Sequence, residues 1–426
     1  MDDRVSRVST LFLLSCLLIP ACEVKVTTSS SFPELTDLEL MTLRHDDLAI
    51  GAVLELADFN FDGHLDLLMG NPAVHEGWRG SVLVYDSTDL SVLAHAYPCL
   101  PPDAPASGWE SFGGSLVAAD FNGDGRMDLA VGNPLGFGSA ASRCGEVWVY
   151  PGPIDSCRYL RIEPMDPVEG GEFGRTLAAG DLDQDGFPDL IVSQPSSRDT
   201  ARASVSVFTG RTLELVQNIP TPLEGSQFGA SVEIVPLNSG TLALAVGAPS
   251  SLDPSHSSDA AVHVFDGSGD EIGRLLPGHT DPAFFARSLT SGDLDGDHRV
   301  DLVLSDRSTE PGIALINSET WRELWRLPID RATGIEEPPG GIQAIADLTG
   351  DGRDELLLLG SREQPVSVLF LTPLRSRAFL RFDSPISAAA AADFDDDGNV
   401  ELILSTCDLL LGRGNQTTIR VIELRR

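Results

Sequence analysis

One pattern, Asp-x-(Asp/Asn)-x-Asp-Gly-x-x-Asp, recurs in this chain with copies starting at Asp58, Asp120, Asp181, Asp293, Asp347 and Asp393, some of them degenerate. Neighbouring copies lie about 46 to 62 residues apart, except for a double-length gap between Asp181 and Asp293. A period of that size belongs to repeat architectures, in which one supersecondary unit cannot bury its own apolar face and must stack on the next. The gap holds another unit. Phe228-Gly229-Ala230-Ser231-Val232 and Leu242 through Val246-Gly247-Ala248-Pro249 keep the flanking pattern around Pro236-Leu237-Asn238-Ser239-Gly240.

The parts of each unit come in a fixed order. A Phe-Gly-like start (Phe112-Gly113, Phe173-Gly174, Phe228-Gly229, Phe285-Ala286) leads into a short apolar strand, the aspartate loop, and a second apolar strand. That strand ends in Gly-x-Pro or a relic of it, as in Gly70-Asn71-Pro72, Gly132-Asn133-Pro134, Ser193-Gln194-Pro195 and Gly247-Ala248-Pro249. An alternating third strand follows, such as Glu146 to Tyr150, and then a more polar fourth. Continuous apolar runs suit strands covered on both faces, and alternating runs suit strands further out. Four strands per unit make a propeller blade. The expected fold is therefore all-β: a seven-bladed β-propeller of four-stranded blades over residues 36–426. After Asp393 only three strands remain before Arg426, so Leu38 to Leu43 is expected to pair with the last blade and close its edge.

The Phe-Gly start, the aspartate loop and the Gly-x-Pro ending together resemble the FG-GAP, or VCBS, repeats of integrin alpha-chain head domains. The resemblance covers nearly the whole chain beyond residue 35. It implies a seven-bladed propeller with calcium in the hairpin loops of one face and partner binding on the opposite face.

The loops carry their own chemistry. Calcium takes six to eight hard oxygen ligands, and alternate residues of a tight loop can aim several carboxylates at one centre. The candidate sets run through the first, third, fifth, seventh (backbone carbonyl) and ninth places. They are Asp58, Asn60, Asp62, His64 and Asp66; Asp120, Asn122, Asp124, Arg126 and Asp128; and Asp181, Asp183, Asp185, Phe187 and Asp189. Three further sets are Asp293, Asp295, Asp297, Arg299 and Asp301; Asp347, Thr349, Asp351, Arg353 and Glu355; and Asp393, Asp395, Asp397, Asn399 and Glu401. His298 replaces the turn glycine in one loop and Thr349 replaces an acidic or amide residue in another, so these two are expected to bind more weakly. In the fourth unit Pro236, Asn238, Gly240 and Leu244 stand at the ligand places, so no metal is expected there. Up to six structural Ca2+ ions follow. Asp-Gly and Asn-Gly also form hairpin turns without any ion, but carboxylates repeated at three places of one loop would repel one another if nothing neutralised them. Magnesium, which keeps its waters and a rigid octahedron, fits less well.

A net charge of −35 repels phosphate backbones and anionic lipid surfaces and argues against a nucleic-acid partner. Residues 1–22 have the form of a signal peptide, an apolar run from Val8 to Ile19 followed by Ala21-Cys22. Cys22 is the expected lipidation site, with Leu13-Leu14-Ser15-Cys16 as a rival lipobox and plain secretion as the other outcome. Residues 23–35 form a polar tether. The product would be a cell-envelope lipoprotein or secreted protein, monomeric, touching the membrane only through its anchor. In an oxidising compartment Cys144 could pair with Cys157 across a hairpin, Cys99 could pair with either, and Cys407 could remain a thiol.

There is no G-x-S-x-G elbow, Walker loop or H-E-x-x-H. Asp253-Pro254-Ser255-His256-Ser257 matches a D-x-S-x-S metal motif but lacks the βαβ setting. The expected function is a non-catalytic binding or adhesion module for a surface protein or glycan. The alternatives are a lectin or a lyase-like polysaccharide-active propeller. Trp78, Arg79, Trp109, Phe137 and Arg143, in loops opposite the aspartate turns, are the candidates for the ligand face.

Overall fold

In a computed structural model of the chain, the described residues are 34–44, 52–72, 79–99, 111–137, 143–195, 202–222, 226–250, 260–277, 285–306, 312–328, 341–359, 367–370, 379–382, 386–394, 398–407 and 416–425. They form strands and turns, and no helix among them is long and apolar enough to cross a membrane. The signal segment, Cys22 and the Asp253–Ser257 motif lie outside the described residues.

Strand β1 covers Glu34–Arg44. The first blade comprises β2 (Val53–Ala57), β3 (Asp66–Asn71), β4 (Ser81–Tyr85) and β5 (Val92–Ala96). The second has β6 (Ser115–Ala119), β7 (Asp128–Asn133), β8 (Glu146–Tyr150) and β9 (Leu160–Ile162). The third has β10 (Leu177–Gly180), β11 (Asp189–Gln194), β12 (Ser204–Phe208) and β13 (Leu215–Pro220). The fourth has β14 (Ser231–Pro236), β15 (Leu242–Ala248), β16 (Ala261–Phe265) and β17 (Glu271–Leu275). The fifth has β18 (Leu289–Gly292), β19 (Asp301–Asp306), β20 (Gly312–Asn317) and β21 (Arg322–Pro328), and the sixth β22 (Gly341–Ile345), β23 (Glu355–Leu359), β24 (Ser367–Phe370) and β25 (Phe379–Phe382). Strands β26 (Ile386–Ala392), β27 (Glu401–Cys407) and β28 (Gln416–Arg425) end the chain.

Each blade is an antiparallel meander, and the molecule is a β-propeller of four-stranded blades. Only six blades are built from four consecutive strands, not seven. The remaining sheet is composite, with order β1-β28-β27-β26, because the last three strands take their fourth from the other end of the chain. Its pairing runs from Glu34 opposite Arg425 to Arg44 opposite Gln416, with a bulge between Glu39 and Met41. First strands touch in succession, β2 to β6, β10, β14, β18, β22 and β26, and β26 touches β2 again.

The core is divided into layers between blades. One layer joins Leu68, Val82, Val84 and Ala96 of the first blade to Phe112, Leu129, Trp148 and Tyr150 of the second. Another joins Leu54, Leu67 and Met69 to Ile403 and Ile419 of the composite sheet. This sandwiching explains why β3, β7, β11 and β19 are buried along their whole length. The third strands, expected to alternate, are also buried throughout in β8, β12 and β16. The neighbouring blades still cover both faces at that radius, while the fourth strands β5, β13 and β17 fan out into solvent.

The Phe-Gly and Gly-x-Pro signatures turn out to be two halves of one fastening between blades. Phe112, Phe173, Phe228 and Phe285 are buried, and the residues after them, Gly113, Gly174, Gly229 and Ala286, all have positive φ. The Gly113 N–H donates to the Gly132 carbonyl at 3.1 Å. A Cβ on Gly70 would lie 2.3 Å from the Gly113 oxygen, so only glycine lets the first blade's backbone approach the second this closely.

Cys99 is bonded to Cys157, which selects one of the open pairings and leaves Cys144 as a buried thiol instead of the cross-hairpin partner of Cys157. The bond ties the end of the first blade to the β8–β9 connection of the second across a sequence separation of 58 residues. Closing a loop of that size stabilises a fold by typically 2–4 kcal/mol. Cys99→Ser is therefore expected to melt several degrees lower than the parent protein, and the difference should vanish when both are measured in reductant. Equal melting in oxidising buffer would refute the pairing.

Candidate metal centre

Each aspartate loop is the hairpin between the first and second strands of its sheet. Its fold follows from its own carboxylates. The first-place Asp120 accepts N–H groups from Gly123 at 2.8 Å, Asp124 at 3.0 Å and Gly125 at 2.8 Å. Asp58, Asp181, Asp293, Asp347 and Asp393 accept in the same way from residues further into their loops. The third-place side chains Asn60, Asn122, Asp183 and Asp295 accept from the fifth-place N–H. Fifth-place Asp62, Asp124, Asp185 and Asp297 accept from the N–H groups of His64, Arg126, Phe187 and Arg299. These bonds wind the backbone through left-handed conformations at the fourth and sixth places. Gly63, Gly125, Gly186, Gly352 and Gly398 adopt them without strain, and His298 takes the same conformation at φ 63°.

The ninth place lies at the start of the second strand, deep in the sheet. Asp66, Asp128, Asp189, Asp301, Glu355 and Glu401 are all buried. Asp128 is held by the Asn122 N–H at 3.2 Å and by the Gly152 N–H of the β8–β9 connection at 2.9 Å. Asp189 accepts from the N–H of Leu182, one place earlier in its loop, and from that of Gly210 in the β12–β13 turn. These turn glycines carry no loop motif, so the sequence offered no sign of their part.

Carboxylate oxygens of Asp181, Asp183 and Asp185 lie within 4.8 Å of one another, and so do those of Asp293, Asp295 and Asp297. Burial pushes Asp301 up to about 6, helped by the charges of Asp295, Asp297 and Asp293. Burial likewise raises Asp66, Asp128 and Asp189, and lifts Glu355 to about 8. Two buried oxygens, Asp66 Oδ1 and Asp301 Oδ2, have no hydrogen-bond donor, and Asp393 Oδ1 shares that condition. A dry carboxylate oxygen without a donor is costly. A hard divalent cation supplies the missing partner and neutralises the loop at once, so these residues fit such an ion.

A pH dependence follows. For an acid whose folded pKa is raised, stability is fully present below its unfolded value, near 4, and is lost as pH rises through the folded value. Without divalent cations the protein is thus expected to melt progressively lower between pH 5 and pH 8.5. Excess calcium should remove most of that slope. Glu55 and Glu233 on first strands, pushed by burial up to about 7, add a smaller part that calcium does not remove. Melting curves with chelator and with calcium across that range check this, and equal slopes would contradict it.

In the fourth blade the hairpin is one residue shorter: Val235 pairs with Ala243, so buried Ala243, not Leu244, stands where the others have a carboxylate. Asp395, Asp397, Trp78 and Trp109 lie outside the described residues, while Asp393, Asn399 and Glu401 are described. At the opposite ends of the second strands, the Arg143 guanidinium sits 5.2 Å over the Phe137 ring. The Phe137 carbonyl accepts from Arg161 at 2.7 Å, and Arg161 is itself paired with Glu146. Arg79, at the corresponding place in the first blade, is half-buried.

Residues 112–150 and 173–208 match the FG-GAP repeat family. These segments are the second and third blades from Phe to third strand, loop included. The chain carries FG-GAP repeats in an integrin-alpha-like β-propeller. It is 31% identical over 194 residues to integrin alpha-5 of Xenopus laevis, covering 44% of this chain and 17% of that protein. It is 37% identical over 142 residues to human integrin alpha-IIb, covering 28% and 13% of the two chains. Human phosphatidylinositol-glycan-specific phospholipase D is 26% identical over 391 residues, covering 84% of this chain and 43% of the enzyme. The chain thus spans less than half the length of each of these relatives.

Proposed function

We propose that this chain is an exported calcium-binding propeller, lipidated at Cys22 or secreted, that acts as a monomeric, non-catalytic binding module for a surface protein or glycan. The six blades and the composite sheet form one seven-bladed ring, a reading supported by the return contact from β26 to β2. The observation that carries the proposal is the burial of the ninth-place carboxylates, with Asp66 and Asp301 each keeping one oxygen without a donor. Acids consumed as ligands brace a scaffold. The loops at the other end of the strands, where Arg143 stacks on Phe137, are left for recognition.

The reading is tested on a glycan array and by capture from envelope extract with purified, calcium-loaded protein. Saturable binding lost on Arg143→Ala with unchanged melting supports it. The similarity to a phospholipase D over most of the chain motivates a second assay, on acidic polysaccharides and a glycosylphosphatidylinositol substrate. Turnover there, removed by mutation of this chain, would replace the binding reading with an enzymatic one.

A further inference from the structure

Among the described residues, the aspartate loops of the fifth and sixth blades are joined in a way that the other loops are not. Asp354, at the eighth place of the sixth-blade loop, donates its N–H to the Asp293 carbonyl at 2.8 Å. In return its Oδ2 accepts the Asp293 N–H, also at 2.8 Å. Asp293 is the first-place carboxylate of the fifth-blade loop. Asp354 itself sits between Arg353 and Glu355, the seventh and ninth places of the sixth. The eighth place holds Leu65, Met127, Pro188, Val300 and Val400 in the other aspartate loops, none able to accept such a bond through its side chain. A second contact runs alongside, since a Cβ on Gly296 would meet the Arg353 side chain at 2.5 Å. Loops two and three touch as well, Phe187 over Gly123, but among the described residues no reciprocal hydrogen bond like that of Asp293 and Asp354 accompanies the contact.

We infer that the fifth- and sixth-blade loops are one coupled divalent-cation module, in which a cation in either raises the affinity of the other through the Asp293–Asp354 pair. The inference rests on the cation-binding reading above, to which the donorless Asp301 Oδ2 of the fifth loop independently points. The physical route is shared ordering. A cation on the Asp293 carboxylate fixes that residue's backbone, the backbone fixes Asp354, and Asp354 fixes the two ligand places on either side of it. The second cation then meets a loop whose ordering cost has already been met. Cation–cation repulsion opposes this. However, each loop holds four acids (Asp293, Asp295, Asp297, Asp301 and Asp347, Asp351, Asp354, Glu355), so the pair stays strongly negative after the first ion binds. The coupling also lets two loops with defects, His298 in one and Thr349 in the other, each make up for the other's weaker ligand set.

The experiment is hydrogen exchange read by mass spectrometry on the whole protein, titrated with calcium chloride alone. In the parent, peptides spanning 293–301 and 347–355 should gain protection together. Asp295→Asn with Asp297→Asn, which disables the fifth loop, should raise the calcium midpoint of the 347–355 peptide about fivefold or more. On an Asp354→Ala background the same pair of changes should move that midpoint less than twofold. Asp354→Asn, which keeps an acceptor oxygen, should restore the coupling. A 347–355 midpoint indifferent to the fifth loop overturns the inference, as does coupling that survives Asp354→Ala or an absence of calcium response in both loops. Peptides 120–128 and 181–189 report separately on the underlying reading. Their protection by calcium with no coupling between the fifth and sixth loops sinks the inference alone, and their indifference sinks cation binding itself.

Discussion

Adding excess chelator to the calcium-loaded protein is expected to lower its melting temperature by about 10 °C. The size follows from linkage. Each site saturated a hundredfold over its dissociation constant stabilises the fold by about 2.7 kcal/mol. The loops at Asp58, Asp120 and Asp181 have complete ligand sets, so three such sites contribute about 8 kcal/mol. Removing the ions does more than cancel a favourable term, because it leaves Asp66 and Asp301 with buried oxygens lacking any donor. Asp124→Ala isolates one loop. Asp124 is exposed, so little packing is lost, and the variant should forfeit about 2.7 kcal/mol of the calcium-dependent stability while melting close to the parent in chelator. Differential scanning calorimetry with calcium and with chelator decides the matter, and superimposable curves for the parent would show that the loops are turns and nothing more.

Deleting residues 34–44 should have an effect at least as large. Strand β1 covers the edge of β28 along its length. Without it the composite sheet has three strands and a long open row of backbone donors and acceptors, an arrangement that invites pairing with other chains. Ile419 and Ile422 on β28, both buried, would lose the strand beside them, and the core layer against the first blade would loosen with them. The deletion variant is expected to form soluble aggregates by size-exclusion chromatography and to unfold without a sharp transition. A synthetic peptide of residues 34–44 added in trans should bind it and restore cooperative melting. A deletion variant that stays monomeric and melts like the parent would show that β1 does not close the ring.

Legibility differed between parts of the molecule for physical reasons. The aspartate loops could be read because their geometry is local: each carboxylate caps N–H groups two to five residues further along, so one short motif contains its own instructions. The shortened fourth hairpin misled by one place, since Leu244 and Ala243 are equally apolar and only the pairing of Val235 with Ala243 fixes the register. The third strands appeared to alternate because their residues vary in polarity, as at Glu146, Ser204 and His263. The adjoining blades bury them regardless. Cys157 could have met Cys144 or Cys99, and its choice depends on where the end of the first blade falls beside the second.

The sequence alone determined the repeating unit, its four strands and the acidic turns, because these rest on periods and hydrogen bonds that reach only a few residues along the chain. The closing of the composite sheet by β1 was also legible, from the count of strands left after Asp393. Tertiary structure decided which glycine meets which carbonyl between blades and which cysteines pair, and it placed Asp354 against Asp293. All three depend on backbone segments tens of residues apart approaching within hydrogen-bonding or bonding distance, which no local pattern encodes.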